Sequence, residues 1–430
     1  MKGNFQIIIL IIFIVGAIFG ILVFSGAIPM GKTSTGSLGT VVLWGTVPNS
    51  IISPAIKNFN DANQSLVVKY VEKSADTFDQ DLLEASASGT APDMFFLPDD
   101  LAFHYADKIF TIPYQSYPLV SFKNNFAGAG EVFLTSRGIL AFPISIDPLM
   151  MYYNRSMLDA SGIVYPPVYW DEMVNIVPTL TKKDDLNKII KSAIAFGHFS
   201  NVIHAKDILA TLFMQAGNPI VKEKDGTLGS TLDSNTIGNF NLPSILKFYT
   251  DFADPNNVVY SWNKSFPNSN DAFSKEELAF YFGFAGELQS LVNKNPNQNF
   301  FVAPVPQIKN SSFKMTGARV TGIAISSLSK NLTAAFTAAS LIATGDFALE
   351  FVKATGIAPA RRDLLAVKQQ DAYSPIFYSS ALYARSWLDP SPKDTDTIFS
   401  GMINAVLSGN LSVTDAIKDA NGKLSLLLFK

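Results

Sequence analysis

Two α/β lobes behind an N-terminal membrane-spanning helix are predicted by three features of this 430-residue chain. Strand-like and helix-like segments alternate from Thr40 onward. One segment, Phe142 to Asn154, begins as an apolar strand, passes a lone acid at Asp147, and continues without a turn into a second apolar strand. A chain crosses between two lobes in this way, and an acid at the crossing faces whatever lies between them. Finally, an uncharged apolar run extends from Ile7 to Ile28.

The length exceeds what one ordinary core organises, which favours two lobes. Apolar and aromatic residues make up 48% and charged residues only 16%, so most of the chain can fold. The formal charge of −3 supplies no basic field to recruit phosphates, which argues against nucleic acid or an anionic membrane surface as partner. With no cysteine, disulfides, iron–sulfur clusters, thiol catalysis and thiolate zinc sites are excluded. The histidines are His104, His198 and His204, and the six-residue spacing of the last two fits no helical metal pair. No metal or cofactor is expected.

The run from Ile7 to Ile28 supplies the roughly 20 apolar residues that a spanning helix needs. A cleavable signal has a shorter apolar centre and a small-residue cleavage site. Phe24-Ser25-Gly26-Ala27 leaves some room for cleavage, and no lipobox cysteine is present. The expectation is an uncleaved single-pass anchor over residues 7–28, with everything after Lys32 outside the cell membrane. Gly26 to Thr33 matches the phosphate-loop pattern G-x-x-x-x-G-K-[ST] letter for letter. Such a loop must follow a strand and open a helix so that N–H groups converge on phosphate. Here it follows a membrane span and enters the linker Ser34-Thr35-Gly36-Ser37, so it is read as an accident.

Beyond the linker, Thr40 to Thr46 reads as a buried strand. Ser50 to Asn60 reads as an amphipathic helix with Ile51, Ile52, Ile56 and Phe59 on one side. Leu66 to Val71 is strand-like, Phe78 to Ser88 helical, and Asp93 to Leu97 a third strand. This β-α-β-α-β rhythm predicts a parallel sheet with helices on its faces, whose ligands sit beyond the carboxyl ends of the strands. After the crossing segment, helices are expected at His204 to Ala216 and Pro243 to Ala253, and a strand at Phe280 to Phe284. Phe300 to Pro306 reads as a return crossing and Thr321 to Ser327 as a strand. Helices follow at Leu332 to Ala343, Asp396 to Leu407 and Thr414 to Leu428.

Several pieces, in this order, resemble the extracellular solute-binding proteins of ABC importers, specifically the sugar-binding group typified by maltose-binding protein. They are LWGTVPNSIISPAIKNFNDAN, LLEASASGTAPDMFFLPDD, FPISIDPLMMYYNRSMLDASGIVYPPVYWDEM, DAFSKEELAFYFGF, FVAPVP, TGARVTGIAISSLSKNLTAAFTAASLI and SGMINAVLSGNLSVTDAIKDANGKL. The resemblance covers the chain from Gly39 to its end. It implies a type II periplasmic-binding-protein-like fold whose hinge closes on ligand. Lobe 1 would take residues 39–145 and 313–356, and lobe 2 residues 147–300 and 357–430. Hinge crossings would lie near 144–148, 301–312 and 356–358. Residues 1–32 would form the anchor and the start of the linker at 33–38, the anchor replacing the lipid that tethers many relatives. The implied partners are a small solute, most readily a sugar or oligosaccharide, and the permease subunits of an ABC transporter.

Sugar clefts need aromatic faces for pyranose C–H surfaces, and carboxylates, amides and Arg for hydroxyls. Trp44, at a strand end, either contacts ligand or lies as a core aromatic under the sheet. Asp100 follows the third strand in a loop that the family uses for sugar hydroxyls, and the neighbouring Asp99 is read as a helix cap. Asp147 matches the family's acidic cleft position and is the favoured site residue. Phe284 lies where relatives place a stacking Trp after the glycine, a Trp absent here. Arg319 either enters the cleft at a strand start or sits in an exposed loop, and Trp387 either presents its ring to ligand or packs on the second lobe. Tyr152, Tyr153 and Trp170 are read as structural, and Arg361-Arg362 as a solvated helix start.

A glycan-processing enzyme would need two facing carboxylates, one with a raised pKa. Asp99, Asp100 and Asp147 offer acids, but nothing in the sequence pairs one with a nucleophile, so binding without catalysis is the expectation. A ligand-sensing receptor of the same fold, or a scaffold that never opens and closes, remains an alternative.

Overall fold

The computed structural model describes residues 37–224, 226–233 and 241–429. The expected membrane span and the phosphate-loop-like tract lie outside these residues. Among the described residues, no single helix is long and apolar enough to cross a membrane. Strands and helices that matter for the site are numbered below; shorter elements are given by residue.

The first strand, β1 (Gly39–Gly45), buries Val41 and Leu43. Helix α1 (Asn49–Ala62) lays Ile52, Ala55, Ile56 and Phe59 on the sheet. Ile51, expected on that side, is exposed because one residue turns a helix by about 100° away from the 52/56/59 stripe. Strand β2 (Leu66–Glu72) runs parallel to β1. Helix α2 (Phe78–Ser88) stops at Gly89 in the left-handed conformation, and β3 (Met94–Pro98) then returns parallel to β1. The β-α-β-α-β reading therefore holds.

Strand β4 (Ala141–Asn154) is the crossing. Its first half, through Ile146, packs in one hydrophobic core with β1, β2 and β3. From Leu149 onward it packs in a second core, leaving Asp147 and Pro148 at the boundary. Helix α3 (Trp170–Leu180) and strand β5 (Ile189–Ile194) begin that second lobe. Helices α4 (Ala205–Gln215) and α5 (Leu242–Asp251) follow, then strands β6 (Leu278–Phe284) and β7 (Phe300–Pro304). Strand β8 (Thr316–Ile325) pairs antiparallel with the first half of β4 and with β3. The second half of β4 pairs with β6 and β7, so one hydrogen-bonded ladder runs through both lobes.

The chain returns later than the sequence suggests. Phe300, Val302, Val305 and Ile308 all belong to the second core, so residues 301–308 do not cross. The return begins at Thr316, whose hydroxyl donates to the Leu149 carbonyl at 2.7 Å. Helices α6 (Leu332–Thr344) and α7 (Asp346–Thr355) complete the first lobe. The stretch after Gly356, assigned above to lobe 2, places Ala358, Ala360, Leu365, Ala381 and Ala384 in the first core. Helix α8 (Ser374–Tyr383) lies across the junction, burying Phe377 in the second core with Ile376 packed against it, while Tyr378 touches both cores. Helices α9 (Pro392–Leu407) and α10 (Val413–Leu428) end the chain on the second lobe.

The residues read as structural do structural work. The Tyr152 hydroxyl donates to the Phe284 carbonyl at 2.8 Å. Trp170 stacks on Phe282 at 5.6 Å between centroids and donates from Nε1 to Gln215 at 2.8 Å. Arg361, read above as solvated, is instead turned inward: it donates to the carbonyls of Thr344 and Gly345 and closes the end of α6.

Gly197, just past β5, has φ +91, and a Cβ there would lie 2.5 Å from the Ala253 Cβ and 2.8 Å from its backbone nitrogen. Gly197→Ala is expected to destabilise the fold by about 2–4 kcal/mol, combining an unfavourable backbone conformation with a clash. Chemical denaturation measures this, and a loss below about 0.5 kcal/mol would mean that the turn is not held.

Candidate functional site

Between the lobes lies a cavity of about 330 Å³. Each wall follows from a local feature of the chain. The first lobe contributes Asp99 and Asp100, in the short 3-10 turn that ends β3. The second contributes Phe199, Ser200 and the first turn of α4. That helix starts at His204, whose backbone is left-handed at φ +63 and so turns the imidazole back across the helix start. Strand β8 contributes Arg319 and the returning chain Ser386, Trp387 and Asp389.

Arg319 stands directly across the ladder from Asp147. Its guanidinium lies 4.0 Å over the Phe284 ring, and its Nη2 is 3.2 Å from Asp207 Oδ2 and 3.3 Å from His204 Nδ1. His204 donates from Nε2 to Glu287 Oε1 at 2.6 Å, since an ionised carboxylate can only accept. Glu287 also accepts from the Tyr281 hydroxyl at 2.6 Å and from the Phe284 N–H at 2.8 Å. Lys206 is held by Asp389 at 3.0 Å and Asp396 at 2.7 Å. Phe284 lies edge-on to His204 with centroids 4.9 Å apart.

Burial and charge set the protonation of these groups. Burial pushes His204 down, but its bonds to Asp207 and Glu287 outweigh this and hold it above the ordinary histidine value. Burial also pushes Glu287 and Asp207 up, yet His204, joined at Asp207 by Arg319, holds both below the usual carboxylate range. Asp99, which accepts from the Ser386 hydroxyl and the Val320 N–H, is nonetheless pushed up to about 7 by burial and by Asp100. Asp147 is pushed up to about 6 by burial, against the pull of the Gly286 N–H and of Arg319. Asp100 is raised as well, by burial above all. It is open to the solvent of the cavity yet deep within it.

Of the six residues that the sequence singles out, four line this cavity together: Asp100, Phe284, Arg319 and Trp387. Phe284 is only 2% exposed and its face is taken by Arg319, so it is no free platform for a ring. Arg319 is a mid-strand residue, not a loop residue. Trp387 lines the cavity and also packs against Phe399 at 6.2 Å, so the two readings of it are compatible. Asp147 is not among the residues that line this cavity; it is partly exposed beside it, its Oδ1 occupied by the Gly286 N–H at 2.8 Å. Trp44 lines neither this cavity nor the one described next; Lys73 covers its ring at 3.8 Å. Asp99 is not a helix cap: its side chain turns inward and is 6% exposed.

Sequence reasoning missed His204, Lys206, Asp207, Glu287 and Asp389. The one local signal was His-Ala-Lys-Asp at a helix start, three charged or titratable residues where one turn gathers them. A second cavity, of about 1000 Å³, lies on the other side of the Arg385-Ser386-Trp387 segment, with Met214 shared between the two. Among the described residues, no group of three His, Cys, Asp or Glu side chains could hold a metal ion.

Comparisons with known proteins agree with this architecture. A family model described as bacterial extracellular solute-binding protein matches residues 54–375. A cyclo/maltodextrin-binding protein solved with maltotetraose has a TM-score of 0.73 at 17% identity, covering 92% of this chain and 98% of the other. A sugar-binding protein of the phytopathogen Xanthomonas citri gives 0.73 at 16%, over 91% and 97%. The cyclic α-maltosyl-1,6-maltose-binding protein of Arthrobacter globiformis gives 0.75 at 16%, over 91% and 99%. At such identities the likeness is one of fold. Comparison with curated protein sequences gives no match.

The shifted carboxyls make stability depend on pH. Asp99 and Asp147 bind protons more tightly folded than unfolded, so their contribution is present below the ordinary carboxylate pKa and is lost as pH rises through about 6 to 7. Asp207 and Glu287 act oppositely, losing stability as pH falls below about 4. Thermal unfolding of the ligand-free full chain is therefore expected to peak near pH 5, and Asp147→Asn to flatten the decline above it. A melting temperature that rises steadily from pH 5 to about 7.5 would contradict these shifts.

Proposed function

This chain belongs to the bacterial extracellular solute-binding proteins, and from that premise we propose that it captures a carbohydrate between its two lobes. Its family is one of binding proteins, not enzymes. The observation that carries the carbohydrate reading is the meeting, in one interlobe cavity, of a free carboxylate (Asp100), a guanidinium (Arg319) and the aromatic rings of Phe199 and Trp387. Carboxylate and guanidinium accept from and donate to hydroxyls, while aromatic faces cover the C–H side of a sugar ring. The volume lies at the small end of the ligand-pocket range of about 300–1,000 Å³, suited to one or two rings. The solved structures that share the fold include proteins whose ligands are maltotetraose and α-D-tagatose, which supports the same class.

Two further steps belong to the proposal. The apolar run from Ile7 to Ile28 would anchor the chain in the cell membrane by a single span, with both lobes on the extracellular side. There it would hand its solute to the permease subunits of an ABC transporter. Residues beside the cavity, Asp147 among them, would act on Arg319 and the Gly286 turn, not by touching solute.

Titration of the detergent-solubilised full chain with a panel of neutral and amine-bearing mono- and oligosaccharides tests the reading, with peptides as controls. Saturable sugar binding is expected, weakened about tenfold or more (about 1.4 kcal/mol) by Asp100→Asn and less than about threefold by Asp147→Asn. Binding of peptides alone would refute the carbohydrate assignment. A larger loss with Asp147→Asn than with Asp100→Asn would put Asp147, not Asp100, against the solute.

A further inference from the structure

The charge around the small cavity is unbalanced in a way that specifies its occupant further. Five carboxylates line it, from Asp99, Asp100, Asp207, Asp389 and Asp396, and Asp147 and Glu287 stand beside it. Three of the four cations that line it are paired with carboxylates. Lys206 is shared by Asp389 and Asp396, Arg319 is paired with Asp207, and His204 is bound to Glu287. Arg385, the fourth, is exposed, lies over Gly128 and donates to the Ala384 carbonyl, with no ion pair among the described residues. Three carboxylates are thus left without a cation in contact. Asp99 has a neutral hydroxyl from Ser386 and the Val320 N–H, and Asp147 has the Gly286 N–H. Asp100, among the described residues, has no hydrogen bond or ion pair and opens into the cavity.

A neutral sugar entering this space would strip water from Asp100 and offer only hydroxyl dipoles in return. Hydroxyl donors offset part of the cost of burying a carboxylate, whereas an opposite charge that also donates offsets more of it. An ammonium group would meet the unpaired carboxylate, form a charge-assisted hydrogen bond, and relieve the repulsion between Asp99 and Asp100. We propose that the solute taken by this cavity is a sugar carrying a free amine, its ammonium seated on Asp100 within reach of the fields of Asp99 and Asp147. Phe199 and Trp387 then cover the ring. The inference rests on the carbohydrate reading above and narrows it.

Binding of a cation here has a second signature. Asp99 faces Asp100, Arg319 and Ser386. Asp147 faces Arg319, Glu287, His204 and the Gly286 N–H. Lys206, Asp207 and Asp389 complete the surroundings of Asp100. Because Asp99 and Asp147 hold protons part of the time near neutral pH, an incoming ammonium drives those protons off. A neutral ring leaves them in place.

The test is calorimetric titration of the full chain with matched pairs that differ only by an amine in place of a hydroxyl. These are glucosamine against glucose and glucosamine oligomers against glucose oligomers, with spermidine as an amine without a ring. Runs at about pH 6.5 in two buffers of different ionisation heat count the protons released. The amine-bearing sugars are expected to bind about tenfold or more tightly than their partners, with net proton release. Asp100→Asn is expected to cut that preference to below about threefold. Equal or tighter binding of the neutral sugars would overturn the amine inference and leave the carbohydrate reading standing. Spermidine binding without any sugar binding would overturn the carbohydrate reading itself, and binding of none of these probes would overturn both. Preference for the amine that Asp100→Asn leaves unchanged would remove Asp100 from the seat.

Discussion

A β-strand that passes from one hydrophobic core into another must spend a residue or two in neither, and everything around the site follows from where β4 does so. Ile146 is fully buried in the first core and Leu149 in the second. Asp147 and Pro148 fall between them, at the floor of the interlobe space. Pro148 brings no N–H to the ladder, which thins the pairing at the crossing. Asp147 brings a charge that must be met locally: the Gly286 N–H bonds it, and Arg319, opposite it on the antiparallel neighbour, acts on it through its field without contact. The register of β4 and β8 thereby fixes the guanidinium at the crossing. Its position over Phe284 and beside Asp207 and His204 then organises the rest.

The resulting network is not a store of stability. Several carboxylates are desolvated together, and the pairs His204–Glu287 and Lys206–Asp389 mainly offset the cost of their own burial. Folding tolerates this arrangement because the two cores on either side are large and well filled. The second alone packs Trp170, Phe196, Phe252 and Phe282 into a continuous aromatic cluster. Specificity is concentrated where the packing is least self-sufficient.

Much of the fold was legible because periodicity carries it. Alternating patterns located β1, α1, β2, α2 and β3 within a residue or two, and an unbroken apolar strand with one acid marked the crossing. Legibility failed where two outcomes share one pattern. The apolar residues Phe300 to Ile308 look the same whether they cross the hinge or stay in the second core. Ala358 to Ala384 fits either core equally well. Side-chain partners across long stretches of chain were out of reach for the same reason: nothing near Asp147 announces Gly286, and nothing near His204 announces Glu287. Asp100 and Arg319 could be proposed because they sit at strand ends or in strands that abut the cleft. His204 could not, since its place depends on a left-handed backbone that the local sequence does not signal.

The segment Arg385-Ser386-Trp387 is a partition with a chamber on each side. Arg385 lays the end of its exposed side chain over Gly128, where the missing Cβ makes room for it. Trp387, two residues on, leans on Phe399 of the second lobe. A side chain of this segment that turns toward one chamber turns away from the other, so the same three residues shape the lining of both.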